Sequence, residues 1–296
     1  MARCFVTREL PGTALDRLRA EHDVEVWPGE LPPSRDQLVE HARESEGLLC
    51  LLTDEIAADV IAACPKLRAI SNYAVGSDNI DADAAAERGI EVAVTPDVLT
   101  DTTADLAFAL LLAAARRLPE AERAVRAGEW GTWEPSGWLG QDLYGARLCI
   151  VGPGRIGSAV AHRAEAFGME VRSVGRDDSL HDALELADFV SIHCPLTDET
   201  RGMFGKAEFG VMRPTAVLVN TARGPIVQTD ELTRALADGR LGAAALDVTD
   251  PEPLPSDHLL VKLPNALVVP HIGSATHRTR ERMADLAVDN LLAALG

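Results

Sequence analysis

The sequence predicts an α/β protein of two doubly wound parallel-sheet domains, one carried as an insertion within the other. Three observations lead there. Short apolar runs alternate with helix-like segments along nearly the whole chain, the pattern of strands joined by helical crossovers. The texture changes once, after Thr95-Pro96, where residues 100–118 read as one long helix rich in Ala and Leu. Residues 276–295 form an amphipathic helix with no sheet to follow, so that helix is expected to pack back on the first domain. The expected division is residues 1–98 plus 276–296 for one domain and residues 99–275 for the other.

Taken in order, the first domain offers strand candidates at residues 4–6, 47–51, 69–71 and 91–93. Behind the long helix, residues 128–138 hold three of the four tryptophans, Trp130, Trp133 and Trp138, among glycines and a proline, which predicts a structured loop. Six further strand candidates follow at residues 148–151, 170–174, 189–193, 216–220, 243–246 and 266–269, a six-strand doubly wound pattern.

Length and composition agree. At about 100 to 200 residues per domain, 296 residues suit two domains. Hydrophobic residues at 47% and charged residues at 25% are ordinary globular values. With 28 basic against 46 acidic residues the net charge is -18, which argues against a nucleic-acid partner held by a positive field. Cys4, Cys50, Cys64, Cys149 and Cys194 form no C-x-x-C pair, so neither a disulfide framework nor a metal site is expected. The first ten residues lack the apolar core of a signal peptide, and no apolar run approaches the roughly 18 residues of a membrane span. A soluble, cytoplasmic protein without a membrane partner is the expectation.

Chemistry concentrates in the second domain. Leu148-Cys149-Ile150-Val151 runs straight into Gly152-Pro153-Gly154-Arg155-Ile156-Gly157 and then a helix-like stretch, the strand, turn and helix context of a Rossmann dinucleotide fingerprint. Gly152 permits the tight turn, Gly154 lets the backbone approach a pyrophosphate, and Gly157 allows close packing of helix on strand. Pro153 has no N–H, so Arg155 and Ile156 must supply the amides. The next strand ends Val174-Gly175-Arg176, where an NAD enzyme would carry a carboxylate. Arg176 can accommodate a 2′-phosphate; the competing reading is an exposed loop arginine neutralised by Asp177 and Asp178.

Three later strand ends carry polar groups at the sheet edge where ligands bind: Asn220-Thr221-Ala222-Arg223-Gly224, Asp247 to Pro253, and Pro270-His271-Ile272-Gly273-Ser274. The Arg223 fork suits a carboxylate beside a carbonyl. His271 can protonate the carbonyl oxygen while a hydride reaches the carbon, and Glu252 can hold and orient the imidazolium. Cys194 follows His193, but adjacent strand residues face opposite ways, which disfavours a thiol nucleophile.

The fingerprint, TARG, DPEP and PHIGSA in this order resemble the D-2-hydroxyacid dehydrogenase family, and within it the glyoxylate/hydroxypyruvate reductases. The resemblance covers essentially the whole chain, including Asn72 to Asp78, Thr95 to Ala104, Arg116 to Ala121 and DVTDPEPLP from Asp247. It implies a flavodoxin-like substrate domain made from both chain ends, a central Rossmann domain, and a homodimer built on the long helix and the tryptophan loop. It further implies that Arg223 binds the substrate carboxylate, that His271 is the proton donor and Glu252 its partner, and that Val75 and Gly76 offer amides to the same carboxylate. Thr103, Ala222, Asp247 and Gly273 would lie along the nicotinamide half of the cofactor, and Trp133 would enter the neighbouring subunit's pocket. The expected reaction is reduction of glyoxylate or hydroxypyruvate to the D-2-hydroxy acid, with NADP(H) preferred and NAD(H) as the alternative. The rivals are a D-3-phosphoglycerate or broader 2-ketoacid dehydrogenase and, from another class, a nucleotide-sensing corepressor-like module. One departure stands out: the path from Arg176 to Ser179-Leu180 is shorter than in relatives.

Overall fold

The computed structural model describes all 296 residues, which divide into two compact units: Met1–Leu99 with Ser274–Gly296, and Thr100–Gly273. In the first unit β1 (Arg3–Val6), α1 (Ala14–Glu21), β2 (Asp23–Val26), α2 (Arg35–Ala42), β3 (Gly47–Cys50), α3 (Ala58–Ala63), β4 (Ala69–Asn72), α4 (Ala82–Glu87) and β5 (Glu91–Ala93) alternate strictly. The strands form one parallel sheet in the order β2-β1-β3-β4-β5, the flavodoxin-like order. The central strands β3 and β4 are buried throughout, as a sheet covered on both faces requires. Sequence reasoning names four of these five strands and misses β2. Its Asp-Val-Glu-Val sequence lies on the sheet edge with an exposed or half-buried pattern, so it carries no apolar run.

In the second unit the elements are α5 (Thr100–Ala115), α6 (Leu118–Arg126), β6 (Arg147–Val151), α7 (Arg155–Ala166), β7 (Glu170–Val174), α8 (Leu180–Leu184), β8 (Phe189–Ile192), α9 (Lys206–Val211), β9 (Val217–Asn220), α10 (Thr229–Ala237), β10 (Ala243–Leu246) and β11 (Ala266–Val268). Alternate residues of each strand feed two different cores. Leu148, Ile150, Val217 and Val219 meet Phe108 and Leu111 of α5 and Val160 of α7. Cys149, Val151 and Leu218 meet Leu184 of α8, Phe209 of α9 and Leu232 of α10.

One expectation needs correction here. The long helix expected over residues 100–118 ends at Ala115, and a second helix starts at Leu118, because continuing α5 would require a Pro119 N–H to donate to the Ala115 carbonyl. That carbonyl instead accepts the Gln141 amide at 2.8 Å, and Arg117 turns the chain at φ 52°. The sheet has the six strands the sequence predicts, in the order β11-β10-β9-β8-β6-β7. Between β7 and β8, residues 175–188 hold only the five-residue α8, so no strand pairs on the outer side of β7 and β7 is the edge.

The closing helix α11 (His277–Leu295) belongs to the first unit. It buries Met283, Ala284, Ala287, Val288 and Leu291. Ser71 donates to the Ala287 carbonyl at 2.8 Å and the Tyr73 hydroxyl to the Arg280 carbonyl at 2.6 Å, fixing the helix against β4 and the loop that follows it. Gly47 of β3 is glycine for the same reason, since a Cβ there would lie 2.8 Å from the Leu295 side chain.

Candidate active site

The turn after β6 is built for close backbone packing. Gly152 has φ 90°, and a Cβ on it would stand 2.5 Å from the Cys194 amide nitrogen. A Cβ on Gly157 would strike the Gly152 carbonyl, so helix and turn can approach only without side chains. Gly154 differs: it begins α7 with no side-chain cap, and a Cβ there would meet nothing within 4 Å. The amino end of a twelve-residue helix thus opens onto space with its first-turn amides, those of Arg155 and Ile156 among them, at the positive end of the helix dipole. These residues fit a nicotinamide dinucleotide, whose pyrophosphate this end would hold.

Beyond β7, Asp178 folds back so that its carboxylate accepts the Gly175 amide at 2.7 Å, and Arg176 is exposed. The Glu199 carboxyl lies below the usual carboxylate range, chiefly through the Thr197 hydroxyl bonded to it at 2.6 Å, with Arg176 a weaker cause. Arg176 therefore has Glu199 in its neighbourhood as well as Asp177 and Asp178. His193 bonds Ser191 through Nε2 at 2.8 Å, and burial drives its pKa down to about 4. Burial pushes the Cys194 thiol up to about 11. Both groups are uncharged at neutral pH, and a thiol in that state is a poor nucleophile.

At the ends of β9 and β10 three loops converge. His271 Nδ1 and Glu252 Oε1 are 2.6 Å apart, with both side chains partly shielded from solvent. Thr249 braces this pair: its amide donates to Glu252 Oε2 at 3.4 Å and its hydroxyl to the Pro251 carbonyl at 2.8 Å. His271 sits at φ 51°, a conformation that non-glycine residues seldom adopt. Asp247 holds it there. Its backbone carbonyl accepts the His271 amide at 2.9 Å, and its carboxylate accepts the amides of Ile272 at 2.6 Å and Gly273 at 2.8 Å. Burial raises the Asp247 carboxyl above its ordinary value, against the pull of those amides and of His271. A Cβ on Gly273 would lie 3.0 Å from Asp247 Oδ2 and 3.3 Å from Thr103 Cγ2, so Thr103, Asp247 and Gly273 form one cluster.

Arg223 leaves β9 in extended conformation, with Nη1 donating to the Ala222 carbonyl at 2.8 Å. The loop that carries it touches the loop of Glu252 directly, since a Cβ on Gly224 would collide with the Thr249 carbonyl. An imidazole with a carboxylate partner, a guanidinium and an open helix amino end thus share the carboxyl edge of one sheet. That set can bind a dinucleotide, hold a carboxylate and move a proton.

A family model described as "D-isomer specific 2-hydroxyacid dehydrogenase, NAD binding domain" matches residues 108–273. The chain belongs to that family. It is 48% identical over 305 residues to the glyoxylate reductase of Korarchaeum cryptofilum, covering 98% of this chain and 92% of the relative. The glyoxylate reductase of Aeropyrum pernix is 47% identical over 308 residues, at the same coverage. Among solved structures, an NADPH-dependent glyoxylate/hydroxypyruvate reductase from Sinorhizobium meliloti, in complex with NADP and malonate, aligns with TM-score 0.88 at 32% identity, covering all of this chain and 94% of that one. The 2-hydroxyacid dehydrogenase described here is therefore an oxidoreductase that uses a nicotinamide cofactor.

Three sequence-predicted positions belong to other segments of the chain. Val75 and Gly76 follow β4 in the first unit, where the Gly76 carbonyl accepts Asn72 Nδ2 at 2.8 Å. Trp133 lies in an irregular segment of the dehydrogenase and is 78% exposed. Sequence reasoning missed Thr249 as the brace of Glu252 and Glu199 as a neighbour of Arg176. The hydroxyl in DVTDPEP was a usable signal for the first; nothing local pointed to the second.

Proposed function

We propose that this dehydrogenase reduces glyoxylate or hydroxypyruvate to the D-2-hydroxy acid, with His271 as proton donor. The observation that carries the reading is the His271–Glu252 pair at 2.6 Å, standing with Arg223 on the sheet edge that also bears the dinucleotide turn. A nicotinamide held by the turn from Gly152 to Gly157 would supply the hydride for the carbonyl carbon. Arg223 grips the substrate carboxylate with two parallel N–H donors, aided by the amides of Val75 and Gly76. With Nδ1 engaged by Glu252, His271 presents Nε2 to the carbonyl oxygen and gives it a proton as negative charge develops there. Glu252 stabilises the imidazolium beforehand and fixes the ring. Thr103, Ala222, Asp247 and Gly273 line the nicotinamide half of the cofactor in this reading. The relatives' names support the substrate class, and small keto acids suit a pocket that a tryptophan closes. A panel of 2-keto acids with both reduced cofactors tests it: the highest kcat/KM belongs to glyoxylate or hydroxypyruvate, and absence of turnover on every keto acid sinks it.

NADPH is the proposed preferred cofactor. Arg176 stands where NAD enzymes place a carboxylate, and Asp178 is partly spent on the Gly175 amide. Charge-assisted hydrogen bonds contribute about 1.5–3 kcal/mol. Arg176 is exposed and near Glu199, which puts its effect at the lower end, about tenfold. Arg176→Ala should lower the NADPH to NADH ratio of kcat/KM by about that factor. An unchanged ratio removes Arg176 from cofactor recognition.

A homodimer is part of the proposal. Trp130, Trp133 and Trp138 are 66%, 78% and 46% exposed in the isolated chain, an apolar load that a twofold interface would cover. Sedimentation should give a dimer, and Trp133→Ala should alter discrimination among keto acids. A fully active monomer contradicts it. The five free cysteines suit the cytoplasm, and no helix is long and apolar enough to cross a membrane.

A further inference from the structure

Asn220, the last residue of β9, has no assigned part in the chemistry, yet its environment is unusual for a strand end. It is fully buried, and both polar atoms of its side-chain amide bond the loop that carries Arg223. Oδ1 accepts the Ala222 amide at 3.0 Å, and Nδ2 donates to the Arg223 carbonyl at 2.9 Å. Its backbone carbonyl accepts the Asp247 amide at 2.9 Å. Asp247 in turn holds the amides of His271, Ile272 and Gly273. One residue therefore joins the loop of the guanidinium to the strand end that fixes the imidazole.

We infer that Asn220 is a positioning residue, setting the place of the Arg223 guanidinium relative to His271 and so the affinity for the substrate carboxylate. The inference rests on the proposed reduction of 2-keto acids and adds to it the residue that aims the anchor. Only an amide satisfies both ends of this clamp, because the Ala222 N–H needs an acceptor and the Arg223 carbonyl needs a donor from one short side chain. A hydroxyl on a one-carbon stem cannot span both. A carboxylate keeps the acceptor and sets a second oxygen against the carbonyl, which pushes the loop at Arg223 itself. The β9–β10 ladder bond uses the backbone and survives either change.

The test compares Asn220→Asp and Asn220→Ser with the wild type, the serine variant serving if the aspartate variant does not fold. For glyoxylate, KM should rise about tenfold or more while kcat falls by less than about threefold, a factor of ten corresponding to about 1.4 kcal/mol. In Asn220→Asp, whose carboxylate still accepts the Ala222 amide, the Kd for NADPH and the pH profile of kcat should stay as in the wild type; in Asn220→Ser, where Ala222 beside the proposed nicotinamide half loses that acceptor, NADPH should weaken by several-fold less than glyoxylate does. In the NADPH-loaded enzyme, calorimetry with oxamate, a carboxylate beside an amide carbonyl, should show the same loss of affinity. A KM and an oxamate Kd within twofold of wild type overturn the inference, and so does an equal weakening of NADPH, which marks a general structural role. Failure of the functional reading looks different: the wild type then turns over no keto acid, while oxamate binding still reports on Asn220.

Discussion

Replacing His271 with asparagine is expected to lower turnover by about 10²–10⁴-fold, the contribution of a positioned general acid. Asparagine is the informative replacement because it tolerates the left-handed backbone at φ 51° that His271 adopts, so the turn bound by Asp247 persists. The variant keeps the shape of the site and removes only the proton. Its Kd for NADPH should equal that of the wild type, since the turn from Gly152 to Gly157 is untouched. Stopped-flow or steady-state assays at saturating glyoxylate read the effect. A loss below about tenfold would move the proton donor elsewhere.

Arg223→Lys is expected to lower kcat/KM for glyoxylate by about ten- to a hundredfold, mostly through KM. A charge-assisted hydrogen bond contributes about 1.5–3 kcal/mol, and each 1.4 kcal/mol is a factor of ten. Lysine keeps the charge and loses the planar two-point grip, so the experiment separates geometry from electrostatics. The backbone of Arg223 is extended, which any residue adopts, and its loop is clamped by Asn220 and packed through Gly224. The fold should therefore survive, with the Tm of the variant near that of the wild type. Unchanged kinetics with glyoxylate would place the anchor on another residue.

What could be read from the sequence divides along physical lines. The turn from Gly152 to Gly157 was legible because the constraint is local: the same few residues make the strand, the tight turn and the helix start. Arg223, Glu252 and His271 were legible as residue types at successive strand ends, although nothing in the sequence set the distance between Glu252 and His271. The break between α5 and α6 had a signal in Pro119 that the strong Ala and Leu pattern outweighed. The strand β2 was hidden because an edge strand of alternating Asp, Val, Glu and Val has no apolar run. The order of the strands and the nearness of Glu199 to Arg176 depend on which segments pair across the sheet, and a reading along the chain does not contain that.

The measurement closest to the central claim is the product of hydroxypyruvate reduction. Hydroxypyruvate and NADPH are incubated with the wild-type enzyme, and the glycerate formed is resolved by chiral chromatography, with His271→Asn in parallel. The account predicts D-glycerate from the wild type, in step with NADPH oxidation, and at least a hundredfold less from the variant. L-glycerate, a racemate, or equal rates from the two proteins would contradict it.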